Sequence, residues 1–352
     1  MTFDEFKQEI RSNILSYLPE DYATAEIYIG EITKSNDQKH DIMRIMKEGA
    51  NVALNIYLEE FYSMYNMGYS MPAILDGIAK VCLREVCERE ELIPFDVYKK
   101  EDIKDKLYLV VLNREKNIDY LKGSVCKEIP GTDLTAAVKV MVFQKENGEN
   151  GTFLVTEKMR NIWEMTDEQL FDMALQNTVQ MFPVTLMSMR EFVRTYTPNL
   201  LEGADGEMMK MIIDKRPLQE GNRLVAGEQY ILSNEQKLGG ASVMLYPGLL
   251  EKIAEETQDS FYLLPSSTHE WILMHKDARM SLEEIQDMVI AVNHTQVSPE
   301  EFLSDEVYFY DHQEKKMVMA TEPEHTKELV SQFLERLPEE DVNGELDYEM
   351  EA

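Results

Sequence analysis

The sequence has few cysteines and no long apolar run, and both absences limit what the protein can be. Its 352 residues include three cysteines, Cys82, Cys87 and Cys126. An odd and sparse set argues against a disulfide framework and favours a reducing compartment. No apolar stretch reaches the length of a membrane span, and the N-terminus lacks the basic patch and apolar run of a signal peptide. We therefore expect a cytoplasmic protein.

Basic residues are scarce relative to acidic ones. The chain has 35 lysines and arginines against 66 aspartates and glutamates, which gives a net charge of −31. Such a charge repels phosphate backbones and anionic lipid surfaces, so we expect neither direct nucleic-acid binding nor a membrane partner. It attracts basic proteins and metal cations, and it also keeps a protein soluble. The 44% hydrophobic content is enough to form a core.

The usual motifs of metal, phosphate and nucleophile sites are also missing. The sequence contains no H-E-x-x-H, C-x-x-C or G-x-S-x-G pattern. Two glycine-rich stretches, Gly239-Gly240 and Gly148 to Gly151, lack the lysine and the following helix of a phosphate-binding loop. We therefore expect no cofactor and no resident metal.

What the sequence does contain is a mixture of helical and strand periods. Capping boxes begin at Thr2, Thr166 and Ser281, and each predicts the start of a helix. Apolar runs and turn signals predict strands and hairpins. The main predicted strands are Leu107–Leu112, Leu134–Phe143, Gln229–Ser233, Ala241–Leu245, Phe261–Leu264, Val307–Tyr310 and Lys316–Ala320. The predicted class is α+β, with antiparallel or mixed sheets built from hairpins and packed against helices.

Changes in period and composition divide the chain into four parts. The last fifteen residues include seven acidic side chains and no basic one, so we expect residues 338–352 to be a disordered acidic tail. The other parts are a helical segment with a β-hairpin at 1–104, a central α+β segment at 105–225 and a C-terminal α+β domain at 226–337.

One stretch concentrates hydroxyls, an imidazole and a carboxylate. It reads Pro265-Ser266-Ser267-Thr268-His269-Glu270 and follows a predicted buried strand. As a hydrolase site it would need a base within reach of a serine and an oxyanion hole. Residues Ser267 and His269 would lie roughly 7 Å apart on one face of a regular strand. The favoured interpretation is a turn whose hydroxyls satisfy backbone amides, with His269 as a polar anchor.

Other histidines offer a metal-assisted alternative. Residues His275, His294 and His312 follow His269 on later elements, and convergence of three of them would make a metal site. Nothing in their spacing favours such convergence.

Methionine and tyrosine could provide contact surfaces. Residues 186–225 are methionine-rich and indicate either an adaptable surface or core filler. Tyrosines at close to helical spacing indicate core packing, or less often a ligand-contacting stripe. The methionines are Met187, Met189, Met208, Met209 and Met211, and the tyrosines are Tyr57, Tyr62, Tyr65 and Tyr69.

Several short motifs, in order along the chain, resemble an uncharacterised family of gut clostridial proteins that carries only a domain-of-unknown-function label. The resemblance covers most of residues 1–320 and implies no activity, substrate or catalytic residue. The motifs are Leu112–Glu115, Leu175–Thr178 with Phe182-Pro183, Leu232–Asn234, Leu264–Glu270 and Leu303–Tyr308.

These observations favour a non-catalytic cytoplasmic protein that binds another macromolecule, most simply a protein. One alternative is a hydrolase-like or metal-assisted enzyme that uses Ser266, Ser267, His269 and Glu270. Another is an acidic mimic of nucleic acid, although the acidic residues are spread along the chain rather than gathered in a stripe.

Overall fold

The fold is α+β, as predicted. A computed structural model describes residues 1–46, 55–90, 95–145, 150–189, 191, 229–276 and 280–322, and the side chains of 84–90 lie outside this description. Several predictions therefore fall outside the described residues. They concern Cys87, Met208, Met209, Met211, the predicted last helix around Leu329–Leu337 and the acidic tail 338–352.

The chain forms two compact units. Unit 1 contains Met1–Tyr108, Arg114–Cys126 and Ala137–Asn177. Unit 2 contains Leu109–Asn113, Lys127–Ala136 and the chain from Thr178 onwards. The division of the chain into four parts stays a prediction.

Unit 1 begins with helices and a three-stranded antiparallel sheet in the order β1-β2-β3. Its elements are α1 Phe3–Asn13, β1 Glu26–Thr33, β2 Lys39–Met46, β3 Ile56–Tyr57, α2 Leu58–Asn66 and α3 Met71–Glu90. The predicted capping box of α1 is confirmed by reciprocal bonds between Thr2 and Glu5. Cys82 is buried in the core between these elements, whereas Cys126 is exposed.

The middle of the chain forms a four-stranded sheet in the order β4-β6-β5, with β7 paired to β6. The predicted strand Leu107–Leu112 is confirmed as β4, and all seven residues of β4 are buried, as expected of a continuous apolar run. The elements are α4 Lys100–Ile103, β4 Leu107–Asn113, β5 Cys126–Glu128, β6 Leu134–Gln144, β7 Asn150–Leu154, α5 Glu157–Ile162 and α6 Asp167–Met181.

Unit 2 is built on a six-stranded antiparallel sheet in the order β13-β12-β10-β11-β9-β8. The strands are β8 Val184–Ser188, β9 Gln229–Asn234, β10 Phe261–Ser267, β11 Glu270–His275, β12 Tyr308–Asp311 and β13 Lys316–Met319. Among its described residues, this unit also contains the helices α7 Leu249–Thr257 and α8 Leu282–Gln296. The predicted hairpin of β12 and β13 is confirmed, and so is the capping box at Ser281.

Both faces of β10 are covered, which explains the continuous apolar run in this strand. Phe261 and Leu263 pack into one core with Trp271. Tyr262 and Leu264 pack into a second core with residues of α8. Because neighbouring side chains of a strand point to opposite faces, a strand between two cores is apolar at every position.

The predicted strand Ala241–Leu245 is wrong. The chain forms a 3-10 helix at Gly240–Leu245 instead, entered through Gly239 with φ 54°. A Cβ atom at Gly240 would collide with the His269 carbonyl oxygen, so this close approach requires glycine. The five residues Ala241–Leu245 are apolar or small and would suit a strand. The Ala241 carbonyl, however, accepts a hydrogen bond from the side chain of Trp271, at 2.9 Å from Nε1, and not from a neighbouring strand.

Two helices near the N-terminus differ from what the spacing of apolar residues predicts. That spacing predicts one helix from residue 3 to about residue 18, but α1 ends at Asn13 and continues only as a 3-10 turn, Ile14–Tyr17. It also predicts a second helix whose apolar positions start at Val52, but α2 begins at Leu58, after the short strand β3.

Candidate functional site

The serine-rich stretch forms the end of a hairpin between β10 and β11. Ser267 pairs with Glu270, so Thr268 and His269 make the two-residue connection. The register shifts between Pro265 and Ser267, and the pairing of β10 with β12 ends at Leu263. The proline therefore lies where no ladder bond to β12 is required of its nitrogen.

The serines bond within the hairpin. Ser266 Oγ donates to Glu270 Oε1 at 3.1 Å. Ser267 Oγ accepts from the backbone N–H of His269 at 3.1 Å. Both side chains are partly buried. These are the local side-chain bonds expected of serines that stabilise a tight turn.

The His269 imidazole is held from two sides. Its Nδ1 accepts from the backbone N–H of Gly239 at 3.1 Å, which places the proton of the neutral ring on Nε2. Its Nε2 lies 3.5 Å from Glu301 Oε1. The backbone of the same residue is also fixed, because its carbonyl accepts from Ser233 Oγ at 2.7 Å.

The geometry brings together Ser266 and Glu270, and separately His269 and Glu301. Among the described residues, no serine hydroxyl of this hairpin is hydrogen-bonded to the imidazole. Since Nδ1 is occupied by a backbone donor and Nε2 faces a carboxylate, the ring as placed has no nitrogen available to take a serine proton. The arrangement ties β9, β11 and the Gly239 turn together.

The other histidines lie at separate places in unit 2. His275 Nε2 lies 3.6 Å from Asp259 Oδ2 at the end of β11. His294 is in the last turn of α8, and His312 follows β12. Within the part of the chain that the structure describes, no three His, Cys, Asp or Glu side chains are placed to hold a metal ion.

A polar cluster that sequence reasoning missed lies deeper in unit 2. The Asp133 carboxylate accepts from Asn113 Nδ2 and from Ser304 Oγ, both at 2.8 Å, and from the Tyr308 hydroxyl. Ser304 and Tyr308 are fully buried. Burial, together with the charge of Asp133, raises the pKa of Tyr308 well above its usual value, so the phenol remains a donor. No local sequence pattern predicts this cluster, because Asp133 and Ser304 are 171 residues apart.

The tyrosine series divides between core and surface. Tyr62 and Tyr65 pack on Phe6 of α1, with ring centroids 5.2 and 5.8 Å away. Tyr69 is 53% exposed, and its neighbour Met67 is 76% exposed. The favoured interpretation, core packing, therefore holds for Tyr62 and Tyr65, and the loop between α2 and α3 is left with two exposed large side chains.

The segments that carry the family resemblance mostly form internal hydrogen bonds. Asn113, Ser304 and Tyr308 meet at Asp133. Thr178 Oγ1 accepts from the Leu109 N–H at 2.8 Å. Ser233 bonds to the carbonyl of the turn, as described above. These motifs fasten distant parts of the fold to one another.

Comparison with known proteins supports membership of a family that carries only a domain-of-unknown-function label. Neither a curated protein nor a solved structure matches the sequence. No helix in the described ranges has the length and apolar character needed to cross a membrane. A family model described as "Family of unknown function (DUF5688)" matches residues 3–312, and the chain therefore belongs to that family.

Proposed function

We propose that this protein is a non-catalytic binding protein that acts in the cytoplasm of gut clostridial bacteria by contacting another protein. The observation that carries the proposal is a contrast between two turns. The polar hairpin Ser266–Glu270 directs its side chains into internal bonds. The turn Met67–Tyr69 directs two large side chains into solvent.

The Met67–Tyr69 turn is hydrogen-bonded to the end of α2. The bonds run from Met67 N–H to Ser63 at 3.0 Å and to Met64 at 3.1 Å, from Gly68 N–H to Tyr65 at 2.9 Å and from Tyr69 N–H to Met64 at 3.2 Å. Gly68 has φ 97°, which favours glycine. A turn whose backbone is already hydrogen-bonded loses less conformational entropy on binding than an open loop, and methionine and tyrosine are enriched in protein interfaces.

The charge of the chain favours a basic partner. A net charge of −31 raises the rate of encounter with a positively charged protein, and salt weakens this effect. We therefore expect association to slow as ionic strength rises, with the apolar contact of Met67 and Tyr69 retained after encounter.

Affinity purification of the full chain from a clostridial lysate, followed by mass spectrometry, tests the proposal. We compare the wild type with the double variant Met67→Ser/Tyr69→Ser and with the matched control Ile118→Ser, which also removes an exposed apolar side chain. The expected result is a stoichiometric partner that is captured by wild type and control and lost by the double variant.

Two results would overturn the proposal. One is a partner retained equally by all three proteins, which would place the interface elsewhere. The other is hydrolytic turnover that disappears in His269→Ala while the thermal midpoint stays unchanged, because that would make the hairpin a catalytic site.

A further inference from the structure

One edge of the six-stranded sheet in unit 2 is apolar and exposed. The sheet ends on one side at β8, Val184–Ser188, and on the other side at β13. The side chains of Val184 and Leu186 are 39% and 40% exposed, although both belong to a strand. Among the described residues, no strand pairs with the side of β8 that faces away from β9. The outer edge of β8 is therefore a surface to which a further strand can be added.

The register of β8 identifies the backbone groups that point outwards. The Glu235 N–H donates to the Pro183 carbonyl at 3.0 Å, in line with the antiparallel pairing of β8 and β9. Because the backbone groups of successive residues in a strand point to alternate sides, the odd-numbered residues of β8 bond to β9 and the even-numbered ones point away from it. The residues with outward N–H and C=O groups are Val184, Leu186 and Ser188.

Charge is absent from β8 and from the residues around it. Positions 173–189 contain no Asp, Glu, Lys, Arg or His, whereas 29% of the whole chain is charged. The neighbouring strand β9 is also uncharged. The opposite edge strand, β13, begins with the exposed Lys316. Because charged side chains on an edge strand protect it against pairing with another chain, the β13 edge has a protection that the β8 edge lacks.

The chain leaves β8 through a helix cap. Ser188 Oγ accepts from the Glu191 N–H at 3.2 Å, which is the bond that a serine makes at the start of a helix. The next residue, Met189, is already helical. The strand is therefore not followed by a tight hairpin, which would return the chain directly along its outer edge.

We propose that β8 pairs with the β8 of a second copy of this chain, antiparallel and about a two-fold axis at Leu186. The two six-stranded sheets then join into one continuous sheet. The outward residues are evenly spaced around Leu186, so the strand is complementary to its own copy. Leu186 faces Leu186 of the second copy, and Val184 faces Ser188 of the second copy. Since these even-numbered side chains share one face of the strand, the exposed apolar groups of both copies cover one another.

Charge favours a second copy over a basic partner at this edge. Each copy has a net charge of −31, so two copies repel each other over most of their surfaces. A contact centred on the uncharged β8 places no like charges opposite one another. A basic protein would gain no ion pair with positions 173–189, and pairing through backbone groups requires none. An identical strand therefore fits β8 better than a basic one.

Sedimentation velocity of the full chain at increasing protein concentration tests the proposal. A reductant is present because Cys126 is exposed and could form a disulfide between copies. We compare wild type with Leu186→Lys, which opposes two like charges at the axis, and with Leu186→Pro, which removes an outward N–H but no bond to β9. The matched control Ile118→Lys introduces the same charge at an apolar side chain of unit 1 that is 68% exposed.

We expect wild type and Ile118→Lys to dimerise with the same dissociation constant. Both Leu186 variants should raise that constant at least about tenfold. Added sodium chloride should strengthen the dimer, because it screens the repulsion between two anionic copies. This salt response is opposite to the one expected for a basic partner of the Met67–Tyr69 turn, so the two proposals can fail separately.

Hydrogen exchange of wild type gives a second readout that needs no variant. The amides of Leu186 and Ser188 should gain protection as protein concentration rises, because their N–H groups bond to the second copy. The proposal is overturned if wild type stays monomeric over the concentration series, or if these amides show no dependence on concentration. It is also overturned if folded Leu186 variants dimerise as tightly as the control, or if a monomeric wild type binds a strand of another protein at β8.

Discussion

Two turns, one in each unit, place their side chains differently. In the hairpin of unit 2, Ser266, His269 and Glu270 bond to groups of the fold itself. In the turn Met67–Tyr69 of unit 1, the side chains of Met67 and Tyr69 are exposed. The comparison teaches that a conspicuous cluster of reactive residue types can be structural, whereas an unremarkable turn can carry the large side chains that the fold leaves exposed.

The largest effect should come from removing the acceptor of the Asp133 cluster. Asp133→Ala leaves the donors of Asn113, Ser304 and Tyr308 without their shared carboxylate. We expect a loss of about 3–5 kcal/mol in the free energy of unfolding, measured by urea denaturation. The exposed Asp172→Ala serves as the control. A loss below about 1 kcal/mol would show that the stability of unit 2 does not depend on the hydrogen bonds to Asp133.

Alkaline pH provides the next test of buried hydroxyls in unit 2. Tyr246 donates to the carbonyl of Phe182 at 2.6 Å, and burial raises its pKa to about 12. Because the unfolded pKa is about 10, the folded state holds its proton longer, so this stability is present below pH 10 and lost as pH rises towards 12.

The expected loss attributable to Tyr246 is about 2–3 kcal/mol across that window. The contribution of Tyr246 is obtained by comparing the denaturation of wild type and Tyr246→Phe at several alkaline pH values, because the other tyrosines titrate in both proteins. Parallel curves for the two proteins would contradict the assigned burial.

A smaller effect is expected in the hairpin. His269→Ala removes the acceptor of the Gly239 N–H, and we expect a loss of about 1–2 kcal/mol in stability. His294→Ala, on the exposed surface of α8, should change stability little. If His269→Ala is as stable as the control, the hairpin does not depend on the imidazole and the contrast with the Met67–Tyr69 turn is weakened.

The smallest stability effect belongs to the exposed turn. Met67→Ser/Tyr69→Ser should change the free energy of unfolding by less than about 0.5 kcal/mol, because both side chains face solvent. Differential scanning calorimetry beside wild type measures this. A marked loss of stability would mean that the turn packs against other residues. A loss of partner binding by the double variant could then be attributed to unfolding.

Local chemistry made much of the fold predictable. The three capping boxes are present, including Thr166, whose Oγ1 accepts from the N–H of Gln169 at 3.2 Å. Strand β4 and the hairpin of β12 and β13 were also predictable from the sequence, because apolar runs and turns depend on neighbouring residues. The 3-10 helix Gly240–Leu245 was not, because it is imposed by the approach of His269 from another hairpin.

The sites were less predictable for the same reason. The hairpin stretch was found because its polar residues are adjacent in sequence. The Asp133 cluster was missed because it joins residues from separate elements, such as Asp133 and Ser304. No pattern within a single element predicts it.

One measurement tests the central contrast most directly. The free energies of unfolding of His269→Ala and Met67→Ser/Tyr69→Ser are determined in the same buffer, each against wild type. We expect His269→Ala to be less stable than wild type, because the Gly239 N–H loses its acceptor, and the double variant to be as stable as wild type, because both of its side chains face solvent. A loss in the double variant as large as that in His269→Ala would contradict the account.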